Sequence, residues 1–202
     1  MKKLIILFLC YIPVLSWATL PFGATEAEKK MLPPVCQGKN KEIVSGLIYF
    51  NHYCYGENFI NRSQNSLYPR GDRNYYLSAG ASEIESAIER NNKKHPFMPV
   101  LLNRLAFIKE KQKKTDEAIA LYKKSIKLNK NYVRTYYLLA NLYKRKKDFK
   151  KAIEAINEGL KHNPDSKYLK KKLKRIEKKM RKYEKQKQTE NKTSQNTLNQ
   201  AE

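Results

Sequence analysis

The chain has 202 residues, enough for one or two domains, and its 41% hydrophobic content is a lean but sufficient supply for a core, which excludes a wholly disordered protein. Lys and Arg number 42 against 19 acidic residues, a formal charge of +23 with its strongest excess in the last third. Such a balance governs solubility and attraction to polyanions, and says little about fold.

The first element is MKKLIILFLCYIPVLSWATL: two lysines, an apolar run from Leu4 to Leu15, and the small pair Ser16 and Ala18. This pattern predicts a secretory signal over residues 1–18, cleaved after Ala18. Leu9 before Cys10 does not suit the small residue of a bacterial lipoprotein signal. The competing reading is an uncleaved inner-membrane anchor, since Leu4 to Leu20 is near the lower length limit for a span and Pro13 interrupts it. Both place the rest of the chain outside the cytoplasm, with the bacterial periplasm as the expected compartment. Export turns the positive charge away from nucleic acid and toward anionic envelope surfaces and acidic proteins.

Residues 19–42 read as an irregular segment containing Cys36. With Cys10 in the signal, Cys36 and Cys54 are the remaining cysteines, and an even pair in an oxidising compartment is expected to form a disulfide. The segment HYCYGENFINR (52–62) also admits other readings. His52, Cys54 and Cys36 are three metal-ligating types, and Cys54 beside His52 resembles an activated nucleophile. No CxxC or HExxH accompanies them and no carboxylate pair is suitably spaced, so no catalytic residue, metal or cofactor is expected.

From about Ile43 to Asn65 the sequence reads as helical. SLYPRGDRNYY (66–76) is rich in turn formers and predicts an inserted loop in which Arg70, Arg73, Tyr75 and Tyr76 are candidates for an anionic or carbohydrate partner, or else a cap over the amino-terminal face. Its RGD tripeptide is too short to carry meaning. SEIESAIERNNKKHP (82–96) follows, with Ser82 and Glu85 placed as a capping box and Ile84 and Ile88 at helical spacing.

The interior repeats itself at an offset of 34. DEAIALYKKSIKLNKN (116–131) aligns with KKAIEAINEGLKHNPD (150–165), and LLNRLAFIKE from Leu101 aligns with TYYLLANLYK from Thr135. Ala106 falls over Ala140, Leu105 over Leu139, and Ala118 over Ala152. Small residues at these positions let two helices cross closely, and the apolar face left by each unit requires a neighbour. In Tyr136, Leu139, Ala140, Tyr143, Ala152, Ile156 and Pro164 the sequence resembles the tetratricopeptide repeat family; the preceding unit fits with Leu102, Leu105, Ala106, Ala118 and Tyr122, but has Lys109 for the aromatic and Lys130 for the closing proline.

The resemblance implies an all-α, short right-handed α-solenoid of about three helix-turn-helix units and a capping helix. Repeats would span 97–131 and 132–165, preceded by a divergent pair over 43–96 in which Gly56 and Phe59 take the small and aromatic positions. The HYC segment followed by Gly and by Asn-Arg also resembles a group of short exported bacterial repeat proteins, which supplies no activity. Family members bind protein or peptide partners on the face made by the first helix, helix A, of each unit. The matching positions here are Val100, Asn103, Phe107, Glu110 and Lys111, then Arg134, Tyr137, Asn141, Lys144 and Arg145. Arg134, Lys144 and Arg145 would pair with carboxylates, Asn103 and Asn141 with backbone amides, and Phe107 and Tyr137 would pack side chains. The complete clamp of carboxylate-binding members is not reproduced.

After Asp165, a candidate cap, Leu169, Leu173, Ile176, Met180 and Tyr183 form one apolar stripe amid many lysines, which predicts a capping helix over 166–187. Its charge supports a second function, electrostatic binding of anionic membrane or cell-wall polymers. Residues 188–202 are polar and expected to be disordered. The leading reading is a non-enzymatic exported scaffold, its partner a protein or an acidic peptide.

Overall fold

The computed structural model describes residues 24–199. The signal expected at 1–18, with Cys10, lies outside them. Among the described residues the fold is all-helical, with α1 (Glu26–Met31), α2 (Phe50–Gln64), α3 (Arg70–Glu89), α4 (Met98–Lys111), α5 (Thr115–Leu128), α6 (Val133–Arg145), α7 (Phe149–His162) and α8 (Lys167–Asn199). Single 3-10 turns occupy Pro34–Gln37 and Lys41–Val44. Helices α2 and α3, α4 and α5, and α6 and α7 pack as pairs; α8 closes the stack against α6 and α7. None is long and apolar enough to cross a membrane.

The small residues sit where the repeat arithmetic places them. Ala106, Ala118, Ala140 and Ala152 are fully buried, and Leu105 and Leu139 fill the core beside them. In the first pair the crossing is glycine on glycine: a Cβ built on Gly56 would stand 3.3 Å from the Gly80 carbonyl oxygen and 2.6 Å from Ile84 Cδ1. Phe59 stacks on Tyr76, ring centroids 6.1 Å apart. Helix α4 is shared: Leu105 and Ile108 face the core of the first pair, whereas Ala106 faces the core built from α5 to α8. Lys109, standing where the family has an aromatic, is only 15% exposed and is held by Glu85 at 2.9 Å and Glu117 at 3.5 Å. The polar substitution is thus compensated by charges on the flanking helices.

The turns repeat too. Lys113 and Lys147, 34 apart, both adopt left-handed backbone (φ 63° and 61°) between the helices of their units. Lys, which carries a Cβ, is an uncommon occupant of that conformation. The sequence does not announce it, because neither turn has a glycine.

Several boundaries differ from expectation. Helix A of the first pair starts at Phe50, not near Ile43: Gly46 (φ 78°) and Tyr49 (φ 56°) are both left-handed and break the run before it. The loop expected at 66–76 is short, and α3 begins at Arg70, well before Ser82. Pro69 is the N-cap and Asp72 lies in the first turn, so the residues read as turn formers are helix-start residues here. Ser82 is an exposed mid-helix position, not a cap. Segment 19–42 is not wholly irregular, because Thr25 and Glu28 form a reciprocal capping box that starts α1. That T-x-x-E signal is visible in the sequence. At the other end Ser166 rather than Asp165 caps α8, its Oγ accepting from Leu169 N–H at 3.3 Å. The expected disordered tail is helical as far as Asn199; nothing from Lys167 to Asn199 is Gly or Pro, so no residue interrupts the helix.

The amino-terminal segment, not the 66–76 stretch, covers the outer face of α2. Glu28 accepts from Arg62 at 2.7 and 3.0 Å, Asn61 Nδ2 donates to the Met31 carbonyl at 3.3 Å, and Gln37 Nε2 donates to the Leu32 carbonyl at 2.6 Å. The sulfurs of Cys36 and Cys54 stand at bonding distance, 2.12 Å, with Cα atoms 5.5 Å apart.

Gly159 provides a test of this packing. Its Cβ would meet the Tyr136 ring at 2.7 Å and Leu169 Cδ1 at 2.9 Å. Gly159→Ala is expected to overpack by about 1–3 kcal/mol, outweighing a helix-propensity gain of about 1 kcal/mol or less. Gly71→Ala, facing open space in the first turn of α3, is expected to be neutral or mildly stabilising. Thermal unfolding of both variants checks the contrast; equal Tm values would contradict it.

Candidate functional site: the helix A face

Helices α2, α4 and α6 are the first members of their pairs, and α8 follows in the same position. Side chains bridge each to the next. Arg104 on α4 forms a two-point ion pair with Glu57 on α2. Asn103 Nδ2 donates to Thr135 Oγ1 on α6 at 2.9 Å, and Arg145 on α6 pairs with Glu110 on α4, which also accepts from Tyr122 Oη at 2.6 Å. Between α6 and α8 the Tyr137 and Tyr168 rings lie 4.6 Å apart, and Lys172 donates to Asn141 Oδ1 while resting 4.4 Å over Tyr137.

The candidates read from sequence therefore separate into structural and accessible groups. Asn103 is buried, and its amide serves the α4–α6 contact, so it is not presented to a partner. Asn141 and Arg145 are engaged by Lys172 and Glu110. Phe107 is half-buried between the Arg104 and Lys111 cations, 5.5 and 5.3 Å from its centroid. Arg134 is exposed, Lys144 partly so, and neither belongs to an ion pair among the described residues. Of the 66–76 candidates, Tyr76 is a packing residue, enclosed by Phe59, Tyr68 and Arg62, while Tyr75 is 67% exposed. Arg70 is exposed, and Arg73 is partly buried with its Nε lacking an acceptor.

Reading by sequence missed Glu57, Arg104, Tyr168 and Lys172. One more step of 34 from Arg134 and Leu138 reaches Tyr168 and Lys172; treating α8 as a further helix A would have found both. Lys172 is only 6% exposed. Burial first, then Lys144, Arg175 and Arg145, holds its ammonium below the usual lysine range. Hydrogen bonding to Asn141 and Tyr168 draws the Tyr137 hydroxyl below its ordinary value, with Lys172 and Lys144 adding to the effect. The face is thus a strip of cations on aromatic supports, short of counter-charge at its carboxyl-terminal end.

A sequence profile described as tetratricopeptide repeat matches residues 110–176, which span α5, α6, α7 and the flanking ends of α4 and α8. Residues 110–176 are thus a tetratricopeptide repeat segment. The fold is similar to that in the crystal structure of the Sgt2 TPR domain from Aspergillus fumigatus, with a TM-score of 0.51 at 15% identity, over 68% of this chain and 82% of that one. A search of curated proteins finds no match. Tetratricopeptide repeats are interaction scaffolds that bind proteins or peptides and are typically non-enzymatic. His52, weighed above as a metal ligand, instead has its Nδ1 2.5 Å from Glu83 Oε2, and among the described residues no three His, Cys, Asp or Glu side chains converge to hold a metal.

The Glu57–Arg104 rung joins the divergent first pair to the repeats. Glu57 is 3% exposed, so removing its partner strands a buried charge. Arg104→Met is expected to cost about 3–5 kcal/mol, and Glu57→Met combined with Arg104→Met to recover most of it. Chemical denaturation of the two variants reads the difference; a double variant no more stable than the single would contradict the pairing.

Proposed function

We propose that this tetratricopeptide protein is an exported, non-enzymatic scaffold that holds an acidic segment of a protein partner along its helix A face, in the assembly of an envelope complex. The observation that carries this reading is Lys172: a nearly buried ammonium set among Lys144, Arg145 and Arg175, with Asn141 as its hydrogen-bond partner and no carboxylate paired to it among the described residues. A fold does not retain such a cluster for its own stability, because burying a charge near like charges is costly. A carboxylate from a bound segment would relieve it, with exposed Arg134 and partly exposed Lys144 supplying charge-assisted hydrogen bonds and Tyr137 and Tyr168 an apolar bed.

Export rests on the signal-like residues 1–18, and the alternative of an uncleaved inner-membrane anchor leaves the repeats on the same side. A disulfide between Cys36 and Cys54 fits that compartment and would stabilise by roughly 3 kcal/mol in the chain-entropy account. Thiol labelling of the unreduced protein should leave both cysteines unmodified.

The second reading, electrostatic binding of anionic membranes or wall polymers by α8, draws on its exposed lysines. Its apolar stripe is not free for a bilayer: Leu169 and Ile176 are fully buried, and Leu173, Met180 and Tyr183 pack on the same core. Substitution separates the two. With partner recovery from native envelope by the full chain as the readout, Arg134→Ala with Lys172→Gln should reduce binding at least about tenfold, since charge-assisted hydrogen bonds contribute about 1.5–3 kcal/mol each. Glutamine at Lys170, Lys174, Arg181 and Lys185, which are exposed and lie away from the helix A face, should leave it intact. The reverse pattern, with steep salt dependence, would favour the surface reading.

A further inference from the structure

The ends of α2 and α4 and the start of α3 enclose a concavity of about 430 Å³, within the usual size of small-molecule sites, roughly 300–1,000 Å³. Arg70, Arg73 and Lys111 line it above Leu77, which is buried. Residues 70, 73, 74 and 77 are one stripe of α3 by helical spacing, so both arginines are delivered to the same side, and Asp72 falls outside that stripe. Lys111 is braced over the Phe107 ring at 5.3 Å.

Among the described residues no carboxylate answers these charges. None of the three takes part in an ion pair among the described residues, and the nearest acid in sequence to Lys111, Glu110, is committed to Arg145 and Tyr122. Ser63 and Gln64, also in the lining, both donate to the Ile60 carbonyl, at 2.7 and 3.3 Å. Arg73 Nε is sealed from solvent and has no acceptor. A buried charged donor left unpaired is destabilising, and convergence of three cations adds repulsion. An anion in the concavity removes the repulsion and gives the Arg73 guanidinium an acceptor.

We propose that this concavity is a binding site for a phosphate monoester group. Three convergent cationic side chains match an anion that carries close to two negative charges and three acceptor oxygens, where a carboxylate offers two oxygens and one charge. Arg73 is the positioning donor, its planar fork fixed by partial burial. Arg70 and Lys111 supply charge from the open side. The site lies at the α2–α3 corner, away from the Tyr137–Lys172 end of the helix A face, and does not depend on what that face binds.

The test uses the full chain, 15N-labelled, titrated with inorganic phosphate at ionic strength held constant with chloride, with the Arg73 Nε–H resonance as the readout. A saturable shift of that resonance is expected. Arg73→Lys, which keeps the charge but lacks the fork, should weaken phosphate binding at least about tenfold, as Arg70→Gln should to a smaller degree; the same spectra report whether each variant is folded. Phosphoserine and vesicles containing phosphatidic acid then distinguish the sources. Competition by phosphoserine assigns a soluble or protein-borne phosphate, and Arg73-dependent co-sedimentation with the vesicles assigns a lipid headgroup. No saturable shift, a shift reproduced by chloride, or phosphate binding undiminished in Arg73→Lys would overturn the proposal.

Discussion

The close approach of paired helices at small residues is the constraint on which the remainder of this structure depends. Ala106, Ala118, Ala140 and Ala152 in the repeats, and Gly56 with Gly80 in the first pair, leave too little room for larger side chains. Each crossing fixes the angle between two helices, and the next pair must then bury the face left open. Stability is consequently distributed between neighbours. Helix α4 contributes to both cores, and the ends of the stack need dedicated covers, which the amino-terminal segment and α8 provide.

Stacking in phase also brings every helix A onto one side, and function follows from what those helices carry. Between α2, α4 and α6 the face is tied by its own side chains, Glu57 pairing with Arg104 and Thr135 accepting from the Asn103 amide. Toward α8 the balance changes. Arg134 and Lys144 have no ionic partner among the described residues, and Lys172 is buried beside further cations. The same architecture thus carries ion pairs that tie α2, α4 and α6 together and, toward α8, a cluster of cations without carboxylate partners among the described residues.

Much of this was legible because the repeat is a strong, redundant signal. Two copies at offset 34 located four helices, and the phase extended backward to Gly56 and forward to the stripe of α8. The misreadings arose where one residue type serves two structures. Pro69, Gly71 and Asp72 suit a turn or a helix start, and burial of Leu77, Gly80 and Ile84 against α2 decided for the helix. Polar residues past Gln188 suit disorder or a solvated extension of α8. At the candidate site, sequence named a face but not which side chains on it are free. Whether Asn103 meets a partner or Thr135 depends on a contact across a 32-residue separation that periodicity does not encode.

The central claim is that a partner lies on the helix A face at Tyr137. Site-specific incorporation of a photo-crosslinking residue at Tyr137, compared with one at the exposed Lys161 on α7, tests it in the native compartment with the full-length chain. The account predicts a discrete protein adduct from position 137, abolished by Arg134→Ala with Lys172→Gln, and none from position 161. Adducts from position 161 alone, or from both positions irrespective of those substitutions, would contradict it.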